Sequence, residues 1–258
     1  MSGRLAGKTA IVTGGGGGIG SAVGALFCAE GASVVLADQD DKAVTAAVAA
    51  IKAATPSARV TAVVTDVASD ASAAQLVAAA VGEFGGLDVL VNNAAVRSYE
   101  PLAEASAESW NRVLSVNLLS YAFMIKAALP HLRPSGRGSI VNVSSTYALS
   151  GRAGMGQYDA TKAAIISLTR TCAFEEAEHG VRVNAVCPGY TLTPFHVARA
   201  EASGGSREAL ENEHLPHCLM KRWARAEEAA YPILWLASDE ASYMTASTVA
   251  VDGGRPVG

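Results

Sequence analysis

The feature that most constrains this chain is a run of five glycines, Gly14–Gly18, between a β-branched segment, Thr9–Thr13, and an Ala-rich one. Alone, five glycines are also compatible with a flexible linker or an empty turn. Between a strand and a helix they let the backbone turn sharply and approach a pyrophosphate, which then sits at the positive end of the helix. Gly14, Gly18, Ile19 and Gly20 are therefore assigned to a dinucleotide cradle, with Gly20 allowing close helix–strand packing.

The rest of the chain continues this alternation. Strands are expected at Thr9–Thr13, Ser33–Ala37, Val60–Val64, Val89–Asn92, Ser139–Val143, Arg182–Val186 and Thr248–Val251. Helices are expected near Ser21–Glu30, Asp41–Ala54, Ala71–Phe84, Ala107–Leu129, Gly156–Glu178 and Ala226–Ser238. Val, Ile and Leu fill the strands without clear alternation, as when helices cover both faces of a sheet. The expected fold is α/β: a single Rossmann-type, doubly wound parallel sheet of about seven strands with helices on both faces. No linker or repeat divides the 258 residues, so one domain, 1–258, is expected to bind dinucleotide and catalyse. Only 190–225 breaks the rhythm. It is too long for an ordinary connection, and is either a substrate-covering lid or a mobile insert.

Composition narrows the setting. Charged residues make up 17%, below the roughly 25% of typical soluble domains, which implies extensive burial, at subunit contacts among other places. A net charge of −4 argues against nucleic-acid or anionic-membrane partners. Cys28, Cys172, Cys187 and Cys218 form no CxxC pair or zinc spacing, so no metal is expected and a reducing compartment is. Met1–Lys8 lacks the apolar core of a signal peptide, and no run is expected to approach the ~20 apolar residues of a membrane span. A cytoplasmic protein is expected.

The second strand runs into Asp38, where such folds hold the adenosine ribose. A carboxylate there accepts from the 2′- and 3′-hydroxyls and repels a 2′-phosphate, and no Lys or Arg occurs in Thr9–Gln39. NAD is therefore expected over NADP, although Asp38 would also serve as a cap for the helix beginning near Asp41. Asp66 and Val67, after the third strand, are placed by spacing near the adenine edge.

The most specific spacing is Ser145, then Tyr158, then Lys162. Tyr158 and Lys162, four apart on a helix, share one face, and Ser145 falls just past a strand's carboxyl end. A tyrosine, with pKa near 10, is a poor base. A neighbouring ammonium and the nicotinamide's charge would favour its phenolate.

With these residues the chain resembles the short-chain dehydrogenase/reductase family, from Leu5 to Gly254. The resemblance rests on Thr13-Gly14-(three residues)-Gly18-Ile19-Gly20, Asn92-Asn93-Ala94-Ala95, Ser145…Tyr158-(three residues)-Lys162 and Pro188-Gly189. It implies a secondary alcohol/ketone oxidoreductase that moves hydride to NAD, with Tyr158 as general acid/base. Asn117 would complete a tetrad by holding a water in a proton relay, and Lys162 would bond the nicotinamide ribose. Asn93 and Ala94 would flank the cofactor, and Pro188, Gly189, Thr191 and Thr193 would frame the nicotinamide. Ala95 stands where the family has Gly. The resemblance further implies a homotetramer, a dimer of dimers built on the helices at Ala107–Leu129 and Gly156–Glu178 and on the last strand.

Two alternatives stay open: a 3-oxoacyl carrier-protein reductase using NADPH, and a non-catalytic dinucleotide sensor. The first would want a basic patch, which Arg152, Lys221, Arg222 and Arg225 supply unless they are merely solvated loop charges. Adjacency to the motifs places Val96, Arg97, Tyr147, Met155, Tyr190, Phe195 and His196 by the substrate. That mix points to a neutral alcohol or ketone, with Arg97 and Arg152 read as facing solvent rather than an anion.

Overall fold

The computed structural model describes residues 3–255; Met1, Ser2 and 256–258, the ends of the expected domain, lie outside them. Seven parallel strands are ordered β3-β2-β1-β4-β5-β6-β7. They are β1 (Thr9–Thr13), β2 (Ser33–Asp38), β3 (Arg59–Val64), β4 (Val89–Asn92), β5 (Ser139–Val143), β6 (Arg182–Pro188) and β7 (Thr248–Val251).

Successive strand residues point to opposite faces, and here both faces are cores. Ala10, Val12, Val34, Leu36, Val89 and Val91 pack on one side with helices α1 (Gly18–Ala29) and α9 (Ala226–Ala237). Ile11, Val35, Ala37, Leu90 and Ile140 pack on the other with α3 (Asp70–Phe84) and α5 (Ser120–Leu132). Burial on both faces is why the strands read as continuous apolar runs. The remaining helices are α2 (Asp41–Ala54), α4 (Ala107–Leu114), α6 (Gly156–Glu176), α7 (Pro194–Ala202) and α8 (Arg207–Glu211).

Three differences from expectation have physical causes. Helix α1 begins at Gly18 rather than Ser21, so the last glycines form its first turn. A Cβ on Gly20 would collide with the carbonyl oxygen of Gly14, and Gly14 itself sits at φ +65°. The single helix expected at Ala107–Leu129 is α4 and α5 joined by a π turn, Ser115–Leu119, with Asn117 buried in it. The helical run Ala107–Ser135 also corrects the expectation about apolar runs, since its best stretch reaches a mean hydropathy of 1.5. Part of that apolarity is packed in the fold, where Tyr121, Met124, Ala128 and Leu132 are fully buried, but only 39% of the stretch is buried.

The sheet order reverses between β1 and β4, so a crevice opens past their carboxyl ends. The 190–225 segment, which contains α7 and α8, lies over it. Its neck is closed by Leu192 N donating to Ala224 O and Ala224 N to Tyr190 O, each 2.8 Å.

Candidate active site

The crevice holds a cleft of about 570 Å³ bordered by Gly14, Gly18, Ile19, Asp38, Ser145, Tyr158 and Lys162. A larger groove, about 870 Å³, opens between α1, α2 and the 207–227 stretch. Alanine is its commonest lining residue, and it holds none of Ser145, Tyr158 and Lys162, so the chemistry belongs to the smaller cleft.

At the cofactor end the turn is built from backbone. Gly15 N donates to Ala37 O (3.0 Å) and Gly17 N to Gly14 O (3.2 Å). Thr13 Oγ1 accepts from Asn93 N (2.9 Å) and Ala94 N (3.1 Å), while Asn93 Nδ2 donates to Thr13 O and Gly14 O. Asn93 thus clamps the glycine turn to the end of β4. A Cβ on Gly18 would lie 2.8 Å from Thr193 Cβ and 3.0 Å from Pro194 Cδ, so the glycine admits the start of α7. These bare backbone surfaces fit a dinucleotide's phosphates.

Asp38 Oδ2 accepts from Gly16 N (3.0 Å) and Oδ1 from Asp40 N (3.1 Å), which aims the carboxylate at the rim of the turn. The cap of α2 is Asp40, not Asp38. Among the described residues Asp38 has no cationic partner. Gly20, Asp66 and Val67 do not border the cleft. Gly20 acts through its missing Cβ, Asp66 Oδ1 caps its own loop at Ala68 N (3.0 Å), and Val67 is core.

At the reacting end, β5 delivers Ser145 and α6 delivers Tyr158 and Lys162. Ser145 Oγ accepts from Tyr147 N (3.2 Å), which leaves its hydroxyl hydrogen available. Lys162 Nζ donates to Val143 O (2.8 Å) and Tyr121 Oη (3.4 Å), and Tyr121 Oη donates to the same carbonyl (3.0 Å). Burial, helped by the Arg97 charge, lowers Lys162 from 10.5 to about 7. Burial pushes the Tyr158 phenol up, opposed by the charges of Arg97 and Arg152 and by hydrogen bonding from Arg97 and Ser145. Sequence reasoning named only Lys162 among the side-chain cations beside Tyr158; its Nζ lies 5.6 Å from the Tyr158 ring, and the two arginines join it there. Asn117 spends its side chain on structure: Oδ1 accepts from Val96 N (2.8 Å), and Nδ2 donates to Val96 O (3.0 Å) and Thr161 Oγ1 (3.2 Å). A water relay at Asn117 therefore has to use its main chain.

The substrate end overturns the reading of Arg97 and Arg152 as solvent-facing. Both are half-buried and border the cleft. Arg97 lies 5.6 Å from the Tyr158 ring and 4.7 Å from the Phe195 ring, and its Nη1 donates to His196 Nε2 (2.9 Å). His196 is lowered to about 4 by burial and by the charges of Arg97 and Arg199, so it is neutral. With Nε2 accepting, the proton belongs on Nδ1, which donates to Thr193 Oγ1 (2.9 Å). Arg152 pairs with Asp159 (3.1 Å) and stacks 3.3 Å over Tyr147, and Arg255 stacks 3.7 Å from the same ring. Tyr147 and Tyr190 meet through their hydroxyls (3.3 Å), and Met155 is buried beside them. Pro188, Gly189, Thr191 and Thr193, between the end of β6 and the start of α7, border the cleft.

Sequence reasoning missed Tyr121, Trp223 and Arg255. Trp223 packs edge-on to Tyr190 at 5.7 Å and 5.0 Å from His196. None of the three belongs to a local motif; the only signal was Trp223's position inside the irregular 190–225 segment.

A family model described as "Enoyl-(Acyl carrier protein) reductase" matches residues 14–255. A protein named short chain dehydrogenase/reductase astE, from Aspergillus oryzae, is 40% identical over 97% of this chain and 95% of its own length. A cis-4-hydroxycyclohexanecarboxylate dehydrogenase from Sinomonas cyclohexanicum is 40% identical over 98% of each chain. The crystal structure of levodione reductase superposes with a TM-score of 0.90 at 32% identity, covering 97% of this chain and 98% of that one.

Proposed function

Because this chain belongs to the short-chain dehydrogenase/reductase family, we propose that it interconverts a secondary alcohol and a ketone with NAD(H). The observation that carries the reading is the convergence of Ser145, Tyr158 and Lys162 beside the glycine turn, at the carboxyl ends of β1 and β5. When bound, a nicotinamide dinucleotide supplies hydride exchange. Gly14, Gly18, Ile19 and Ala94 would border its phosphates and Asp38 its ribose, while Pro188, Gly189, Thr191 and Thr193 would frame the nicotinamide.

The chain's own part is proton handling. Ser145 donates its free hydroxyl hydrogen to the substrate oxygen and holds it against Tyr158. In oxidation Tyr158, as phenolate, takes the alcohol proton; in reduction it returns one. Arg97 and Arg152 oppose the rise that burial imposes on that phenol, and the positive charge of a bound nicotinamide would add to theirs. Lys162, with its pKa near 7, passes the proton onward and reaches the ribose. Asp38, with no cation beside it among the described residues, supports NAD over NADP.

A second reading, an NADPH-dependent reductase of acyl groups on a carrier protein, is favoured by the description of the matching family model. Its basic patch is largely spent, however. Arg222 bonds Glu228 through both terminal nitrogens (2.8 and 2.9 Å), Arg225 lies 3.9 Å from the same carboxylate, and Arg152 pairs with Asp159. A dinucleotide sensor is the third reading.

The proposal includes a cytoplasmic homotetramer. In its support, the helical stretches expected at that interface expose large apolar side chains, Phe174 on α6 at 82% and Leu119 before α5 at 44%; light scattering at four chains per particle tests it. For the activity, NADH absorbance is followed with a panel of secondary alcohols. NADH should form from NAD faster than NADPH forms from NADP, and at least about a thousandfold more slowly in Tyr158→Phe, whose NADH affinity is retained. Faster turnover with NADP would favour the carrier-protein reading. NADH binding without turnover of any alcohol or ketone would favour the sensor.

A further inference from the structure

Arg97 is a cation without a counter-ion in the half of the cleft where substrate sits. Of the other arginines bordering the cleft, Arg152 pairs with Asp159, while Arg112 and Arg199 enter no ion pair among the described residues; only Arg97 and Arg152 stand against the Tyr158 ring, at 5.6 and 5.5 Å. Among the described residues Arg97 enters no ion pair, and its hydrogen-bond acceptors are the neutral His196 and the Tyr158 hydroxyl. A guanidinium has five N–H donors in a planar fork, so most of this one's capacity is unspent. It is half-buried, against Phe195 on one side and near Tyr158 on another. Asp38, the one acidic residue bordering the cleft, is at the cofactor end. A chain of net charge −4 thus leaves an unpaired positive charge beside its candidate proton acceptor.

Resting on the dehydrogenase reading above, we infer that the substrate is a hydroxy acid, its carboxylate held by the fork of Arg97 while Ser145 and Tyr158 hold its hydroxyl. The planar fork matches a carboxylate in two parallel charge-assisted bonds, and partial burial strengthens them. The 5.6 Å between guanidinium and tyrosine ring puts acid and carbinol a few carbons apart on one small skeleton. Phe195, His196 and Trp223 form the apolar wall for that skeleton. In the reaction the carbinol C–H and O–H bonds break and a C=O forms. The hydride leaves with the dinucleotide and the proton goes to Tyr158, so hydroxy acid and NAD⁺ give keto acid, NADH and a proton. The carboxylate is unchanged throughout.

The test compares 3-hydroxybutanoate and 4-hydroxycyclohexanecarboxylate with their methyl esters. For at least one pair the wild-type enzyme should prefer the acid in kcat/KM by about thirtyfold or more, the range of charge-assisted hydrogen bonding. Arg97→Gln should bring that ratio within about threefold of unity, and Arg97→Lys, which keeps charge without the fork, should fall between. The ratio is the readout because a role of Arg97 through Tyr158 ionisation slows acid and ester alike. Equal rates for acid and ester in the wild type, or an unchanged ratio in Arg97→Gln, would overturn the inference. Calorimetry with non-reacting cyclohexanecarboxylate, with and without NAD, separates it from the reading beneath it. Binding that needs Arg97, without oxidation of any alcohol, sinks the dehydrogenase and keeps the anion site. Alcohol oxidation with no acid preference, and equal binding of cyclohexanecarboxamide, does the reverse.

Discussion

The two ends of the cleft are made of different material. The cofactor end is backbone: glycines whose missing Cβ atoms leave room, a threonine and an asparagine clamping the turn, and a single carboxylate fixed by main-chain N–H groups. The substrate end is side chain: arginines, tyrosines, a histidine and a tryptophan delivered from β4, β5, α6 and α7 and from the chain following α8 and β7. A backbone site tolerates almost no substitution but recognises what any dinucleotide has in common. A side-chain site can be changed residue by residue, so it is where specificity resides.

The comparison can be broken at either end. Gly20→Ala strikes the cofactor end hardest, since its Cβ meets the Gly14 carbonyl, and only backbone can move. Calorimetric titration should show NADH affinity falling by about a hundredfold, and denaturant melts a stability loss of about 1–3 kcal/mol. Retained NADH affinity would mean the turn yields, and the contrast between the ends would weaken. Asp38→Asn keeps an acceptor toward Gly16 and removes the charge, so the NAD-to-NADP preference in kcat/KM should fall about tenfold. An unchanged preference would locate selection elsewhere.

The smallest effect sharpens the picture at the reacting end. Lys162 has a folded pKa of about 7 against 10.5 unfolded, so between those values the unfolded chain binds more protons and stability rises with pH. Below about pH 7 the full cost of burying the ammonium is present. Lys162→Met removes it, while Val143 O keeps its bond from Tyr121. Its melting temperature should exceed the wild type's by a few degrees, about 2–4 °C, at pH 6. The gap should close as pH rises toward 10. A pH-independent difference would mean that Lys162 is not buried as a charge.

Legibility in the sequence follows the same division. The fold was readable because two buried faces leave continuous apolar runs: Val89–Asn92, Ser139–Val143 and Thr248–Val251 have the expected bounds, and β2 and β3 differ by one residue. The glycine turn and the Ser145, Tyr158 and Lys162 spacing were readable because each is local in the chain. The roles of Arg97 and Arg152 were not. Arg97 meets His196 ninety-nine positions on, and Arg152, whose own partners Tyr147 and Asp159 are near in sequence, shares the Tyr147 ring with Arg255 from the far end of the chain. A charged residue beside a motif looks solvated until the fold shows what faces it. The π turn at Ser115–Leu119 was equally hidden, since no break in the helical pattern marks it and the partner of its buried Asn117, Val96, lies outside the helix.

The clasp between Tyr190, Leu192 and Ala224 has a bearing on how such a chain diversifies. It joins the two ends of a long excursion at the strand edge, so everything from 193 to 223 is a cassette hung from a fixed hinge. The entropy of closing a loop grows slowly with its length, and a cassette of other length or composition would hang there at little thermodynamic penalty. Most of this one's inward-facing side chains, Phe195, His196 and Trp223, would be exchanged together, while the seven-stranded sheet and the glycine turn kept their sequence. Substrate range is thus the part of this enzyme freest to drift, and cofactor handling the part held still.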